Sequence, residues 1–524
     1  MSKLRQSSSY SQPAPIGGLN AIDSIAAMAE TDAIVMRNMY PQSFGVGCRK
    51  GYKEFAAGLT GEVKTVMSYS APTGEKRIFA IDNAYVTDIT AGGVVPIINR
   101  VCAVTQGSFQ FTTISNTISS YLMAFNGTDD GFLYSQTTGY HALVLGDGVT
   151  VWTWKNIDPK KLVQPVFHQH RVWAVEIGST RAWYLPTDQV YGVATAFDFG
   201  GNYARGGYLQ CLIPYTLDSS TGPNDYLAAV SSEGEIALYQ GIDPSATTTW
   251  ELVGVFYAGA TFTRRCWTKF GGDAAILTQF GLLTLSAIIR PDPGYILGNP
   301  ISQKIQRLFS QTISAAYSYE GWEIHSFFAE NMLIVNVPGV AASQTTQFAY
   351  NSVTKAWTLF DNMWAQCWAN TDVGLLFGED GRVCMAWTGY QDNVPLGEYV
   401  GETIKTECQQ AFSYFNMPGA TKHFKMARPT FLHGGNFAYR FGANMNFDFT
   451  SIPPPATTPT MSYGVWDESV WDTTARWSGG VDSDKQWQSI IGLGYAASAR
   501  IAVDASAEVI WVATDWLFEK GGVV

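Results

Sequence analysis

His168 and His170, one residue apart in PVFHQHRVW, have the spacing that puts two imidazoles on one face of an extended strand, an acceptable start for a zinc site. Such a site needs a third donor and a fourth position, and His141, His325, His423 and His433 lie far from the pair and from one another. Ordinary strand histidines and no metal are the expectation. The carboxylates Asp129, Asp130, Glu233, Glu379 and Asp380 fall in Gly-containing turns, where carboxylates cap backbone N–H groups. A propeller-type glycosidase would need two of them across a pocket, one with a raised pKa. Ser231–Gly234 (SSEG) is the nearest approach to the Ser-x-Asp-x-Gly-x-x-Trp turns of sialidases, and it lacks both the Asp and the downstream Trp.

Other constellations fail in the same way. Gly200, Gly201, Gly206 and Gly207 follow neither GxGxxG nor a phosphate loop with its Lys-Ser/Thr pair, so they read as loop geometry. No GxSxG nucleophile elbow occurs. Trp466-Asp467 and Trp471-Asp472 imitate WD-repeat signatures but stand five residues apart, which suits a tight loop of stacked indoles. The seven cysteines (Cys48, Cys102, Cys211, Cys266, Cys367, Cys384, Cys408) are scattered singly without CxxC, and read as buried free thiols. No catalytic residue, cofactor or metal is expected.

Composition narrows the class further. Apolar residues make up 46% of the 524 residues, while charged residues make up 15%, well below the roughly 25% of ordinary domains. With 51 glycines and 14% aromatics this suits a β-rich chain whose surface largely meets other subunits. The net charge is −11 and no Lys/Arg cluster exists, which excludes a protein that grips phosphates. An acidic wall past which DNA slides and a protein that never meets DNA both fit that charge. MSKLRQSSSYSQPAP has no apolar run after its basic start, and no stretch approaches about 20 apolar residues, so neither export nor a membrane span is expected.

The elements that would carry these residues recur. RIFAIDNAYVTDI, YLMAFNGTDDGFLYS, RVWAVEIGSTRAWYL, YLAAVSSEGEIALYQG, AAILTQFGLLTLS, the stretch from Met332 to Phe360, and VGLLFGEDGRVCMAWTG each read as strand, turn, strand. Their spacing is roughly 40 to 60 residues, near the ~40–50 of a propeller blade. A small sheet cannot bury both faces alone, whereas radial stacking covers each sheet with its neighbours. The fold expected is therefore all-β, a β-propeller of about seven blades over residues 61–400, with tandem β-sandwiches as the rival. Residues 401–524 read as longer alternating strands of a β platform domain, interrupted by a Pro/Thr linker at Ser451–Thr460. Residues 1–60 form an arm and part of that platform, with one short helix expected over Ile22–Met28, where Asp23 and Ser24 can cap.

Three segments carry a resemblance. GGLNAIDSIAAMAETDAIVMRNMYPQ with CRKGYKEF, the stretch NDYLAAVSSEGEIALYQGIDPSATTTWELVGVFYAGATFTRRCWTKFGGDAAILTQFGLLTLS, and the C-terminal HFKMARPTF with WDESVWDTTARW are similar to the tail nozzle proteins of short-tailed phages, also called tail tube B or packaged-DNA-stabilising proteins. The resemblance implies a non-enzymatic virion protein, made in the host cytoplasm, whose homohexamer continues the DNA channel below an adaptor ring. It further implies retention of the packaged genome, opening on host contact, and contacts with tail fibres or spikes. Two alternatives stay open: a receptor- or glycan-binding propeller, with Trp/Tyr clusters and polar side chains at its mouth, and a propeller hydrolase with convergent carboxylates.

Overall fold

Strands whose two faces are both apolar dictate the architecture. Ser120–Phe125 is buried at every position, and Arg171–Glu176 and Glu235–Gly241 are nearly so, so each needs protein on both sides. The computed structural model describes residues 7–219, 222–246, 248–289, 300–435, 437–449 and 482–523, and in it these strands form the middles of antiparallel sheets stacked around an axis. The chain is an all-β propeller joined to a β platform.

Five self-contained blades are present. Their innermost strands are Thr65–Ser70, Gln110–Ser115, Leu162–His168, Leu209–Ser219 and Cys367–Thr371, each leading outward through consecutive hairpins. Two further sheets complete the ring with the inner strands Trp267–Phe270 and Glu323–Phe327. The first of these has only three strands and is followed by helices Leu285–Ile289 and Gln306–Ala316, whose buried Ile288, Phe309 and Ile313 join the same core. The second continues beyond its own four strands into a ten-stranded sheet that reaches the platform. All seven hairpins read from the sequence therefore form, and about five of them belong to full blades, where about seven blades, not all of them complete, were expected. Of the other two, the three-stranded one remains a separate sheet and the second runs on into the platform.

The ring closes non-locally. Tyr52–Glu62 pairs with Asp380–Ala386 as an outer strand of the last blade, so the boundary expected at residue 60 falls inside a strand. Both chain ends build the platform: Ser7–Pro13 pairs with Val509–Val523, and Asp32–Arg37 with Glu402–Gln410. The two platform sheets face each other through aromatic rings, Phe431 on Tyr439 at 4.9 Å and Phe441 on Trp516 at 6.3 Å. Rings at such distances add about 0.5–1.5 kcal/mol each beyond area burial.

The short helix expected over Ile22–Met28 does not form. Asn20 Oδ1 accepts from the N–H groups of Ile22 and Asp23, at 3.2 and 3.1 Å, which commits the backbone to an Asx turn. Most of the segment is exposed, so no buried face repays a helix nucleus. The Ser451–Thr460 linker and the two Trp-Asp pairs at Trp466 and Trp471 lie outside the described residues.

Candidate functional site

The histidine pair is split by a turn. Leu162–His168 ends at His168, and Gln169 and His170 both take left-handed backbone (φ 48° and 57°) to form the hairpin into Arg171–Glu176. His170 points to solvent with Asp188 at 3.4 Å, while His168 is buried with its Nε2 unpartnered, its ring 6.3 Å from Trp250. The two imidazoles thus do not share a face, and among the described residues no group of three metal-ligating side chains exists. Burial pushes the His168 pKa down from 6.5 to about 4, against a small opposing pull from Asp225. Above pH 6.5 both folded and unfolded chains hold this imidazole neutral. Between about 6.5 and 4 only the unfolded chain takes up the proton, so stability falls as pH falls. The full loss is about 3 kcal/mol, and His168→Gln should flatten that part of a urea-midpoint-versus-pH profile.

The turn carboxylates cap backbone at Asp129 and pair with cations at Asp130 and Glu379. Asp129 accepts from the N–H groups of Thr105 and Gln106 at 2.9 and 3.2 Å, and from Asn126 Nδ2 at 2.8 Å. Partial burial pushes its pKa up, and these hydrogen bonds outweigh that and hold it below the ordinary value. Asp130 pairs with Lys160 at 3.4 Å. Burial raises the Glu379 pKa against the pull of Arg382, whose Nη2 stands 2.6 Å away. Ser231 Oγ accepts from Glu235 N–H at 2.9 Å and Glu233 is exposed, so SSEG is a hairpin turn. Gly200 N–H donates to Asp198 Oδ1 at 2.8 Å, a local turn with no open cradle. All seven thiols are free, and six are buried.

One group of charged side chains that the fold brings together lies on the inner strands around the axis. Arg264 and Arg265 precede the inner strand Trp267–Phe270, and Glu323 and His325 alternate on Glu323–Phe327. Arg265 Nη1 donates to Glu323 Oε2 at 3.0 Å. Its Nη2 reaches Thr65 Oγ1 at 2.6 Å, Phe109 O at 2.9 Å and Lys64 O at 3.0 Å, so one guanidinium ties four segments of the ring. Burial lowers the His325 pKa, although Glu323 opposes it, and its Nε2 has no partner. The spacing of the pair, 58 residues, hid it from motif reading; only the Arg-Arg dipeptide before a strand hinted at it.

Two cavities meet at this layer. One, of about 600 Å³, is lined by the inner strands; the other, of about 340 Å³, lies among the loops that enter them. Gln110, Arg264 and Arg265 line both. Glu323 is the one carboxylate on the larger cavity among the described residues, and it is engaged by Arg265. Cys367 on the same wall is held protonated by burial, its pKa raised to about 12, and its thiol donates to Val63 O at 3.5 Å. Among the described residues that line this cavity no second carboxylate stands beside Glu323, as the pair of a glycoside hydrolase would. The smaller cavity opens to solvent beside the exposed rings of Tyr208, Tyr317 and Tyr319.

No protein-family model and no curated protein matches the chain. Among solved structures it is similar to a quinonprotein alcohol dehydrogenase-like protein from Bacteroides thetaiotaomicron, at 9% identity over 61% of this chain and 80% of that one, with a TM-score of 0.29. It is also similar to a putative 6-phosphogluconolactonase from Bacteroides fragilis, at 11% identity over 62% of this chain and 86% of that one, with a TM-score of 0.32. Likenesses this distant carry no argument about activity.

Proposed function

We propose that the chain is a structural subunit of a phage tail nozzle, assembling as a ring, six-membered by the family resemblance, around a DNA channel. The observation that carries the assembly is the platform strand Gln488–Gly494. It pairs only with Ala420–His433 among the described residues, contains no charged residue, and exposes Ile491 (89%) and Leu493 (64%). A bare, uncharged, apolar edge is a liability on a monomer and an asset at a subunit boundary. The net charge of −11 agrees with a channel that does not hold DNA. The sequence segments similar to tail nozzle proteins supply the tail itself.

Replacing Ile491 and Leu493 together with aspartate is expected to weaken self-association by about ten-fold or more, with the urea midpoint unchanged. Sedimentation velocity across a concentration series checks this. Association as strong as that of the parent chain would remove the edge from the interface.

A second reading, a glycan-binding propeller, is favoured by the tyrosines at the mouth of the smaller cavity. Aromatic faces and polar side chains around a shallow cavity suit sugar rings.

A further inference from the structure

We infer that the cavity at the propeller mouth is a binding site for an acidic sugar, a uronic-acid type residue of a surface glycan, with Arg264 receiving the carboxylate. The inference rests on the second reading above and is independent of ring assembly.

Arg264 has the features of a guanidinium awaiting an anion. It is half-buried at the cavity wall, donates to Gln210 O at 3.3 Å, and lies over the Tyr208 ring at 5.7 Å. Among the described residues no carboxylate pairs with it, whereas its neighbours are taken: Arg265 by Glu323, and Lys64 by Glu62. Buried charges are ordinarily paired, and burial here works against the charged form. An external carboxylate would supply the missing partner in a bidentate geometry.

The polar atoms beside it select the rest of the ligand. Gln210 is 3% exposed and its Oε1 has no hydrogen-bond partner; Oε1 of Gln110 is likewise buried and unpartnered. Both residues line this cavity. The two atoms are acceptors, so they call for donors, which sugar hydroxyls supply and a bare inorganic anion does not. Gln110 Nε2 is fixed on the backbone carbonyl of Arg264 at 3.1 Å, which anchors the amide to the segment that carries the guanidinium. Tyr317 and Tyr319 stand exposed on the rim, where a pyranose C–H face can lie against a ring. The volume of about 340 Å³ lies within the roughly 300–1,000 Å³ of small-ligand pockets. Carboxylate, several hydroxyls and an apolar face together describe a uronic acid.

The test is calorimetric titration of the full chain with tetragalacturonic acid and with the same oligosaccharide after reduction of its carboxyl groups. The acidic probe is expected to bind with a Kd of about 1 mM or tighter, and the reduced probe at least about ten-fold more weakly. Arg264→Gln should weaken the acidic probe to the level of the reduced one and leave the reduced one unchanged. Tyr319→Ala, a change on the exposed rim, should weaken both. No heat from the acidic probe, equal affinity for both probes, or binding indifferent to Tyr319→Ala would each overturn the inference. Should Arg264→Gln fail to fold, the two probes and Tyr319→Ala still decide it. Because the titration uses dispersed chains, its outcome is separable from failure of the ring.

Discussion

Replacing Arg49 with methionine should destabilise the protein by about 3–5 kcal/mol, the cost of leaving a buried partner charge uncompensated. Arg49 is 0% exposed and Asp392 is 6% exposed, and two N–H groups of the guanidinium each meet a carboxylate oxygen at 2.7 Å. The remaining donors are also used: Nε on Asn38 Oδ1 at 2.8 Å, Nη2 on Asp361 O at 2.9 Å, and Nη1 on Lys50 O at 3.1 Å. The segment around Asn38–Lys50 and two distant ones, at Asp361 and Asp392, therefore meet on one planar cation, at the junction of propeller and platform. Methionine fills much of the space but satisfies none of these acceptors. The double variant Arg49→Met with Asp392→Leu should recover part of the loss, because it removes the stranded charge as well. Urea unfolding of the two single variants and the double variant measures the coupling. A loss under about 1 kcal/mol in Arg49→Met would show that water reaches the site and that the junction is held by packing alone.

The second large effect is expected at Arg265, on the axis. Arg265→Met strands Glu323, which is itself 9% exposed, and takes a donor from the carbonyls of Lys64 and Phe109; Thr65 Oγ1 keeps Gly107 O and Phe109 N–H as partners. Cavities on either side let some water reach these groups, so the expected cost is about 3 kcal/mol, at the low end for a broken buried pair. Protection of the amides in Thr65–Ser70 and Glu323–Phe327 should fall together, since one side chain holds both strands. Hydrogen exchange checks this: loosening of only one of the two strands would contradict the role assigned to the guanidinium.

The propeller was legible because its hairpins announce themselves locally. Asp82 shows why: its Oδ1 takes the N–H groups of Ala84 and Tyr85, both at 2.7 Å, so an Asp-Asn pair between apolar runs is already a turn. What stayed hidden is non-local. Nothing in Tyr52–Glu62 says that its partner is Asp380–Ala386, and nothing in the stretch from Met332 to Phe360 says that its sheet runs on into the platform. The histidine pair misled because Gln169 and His170 adopt left-handed backbone with no Gly or Asn to signal it. The axial ion pair joins residues on different blades, and the orphan oxygens of Gln110 and Gln210 acquire meaning only once the cavity exists. Local turn chemistry is written in the chain, whereas electrostatic partners are products of the fold.

The mass and rotational symmetry of the particle formed by the purified full-length chain, seen by electron microscopy, test the structural reading most directly. The expected result is a sixfold ring with an axial channel, its mass six times the 57.3 kDa of one chain. Single chains at every concentration up to the solubility limit, with the Gln488–Gly494 edge still bare, would contradict it.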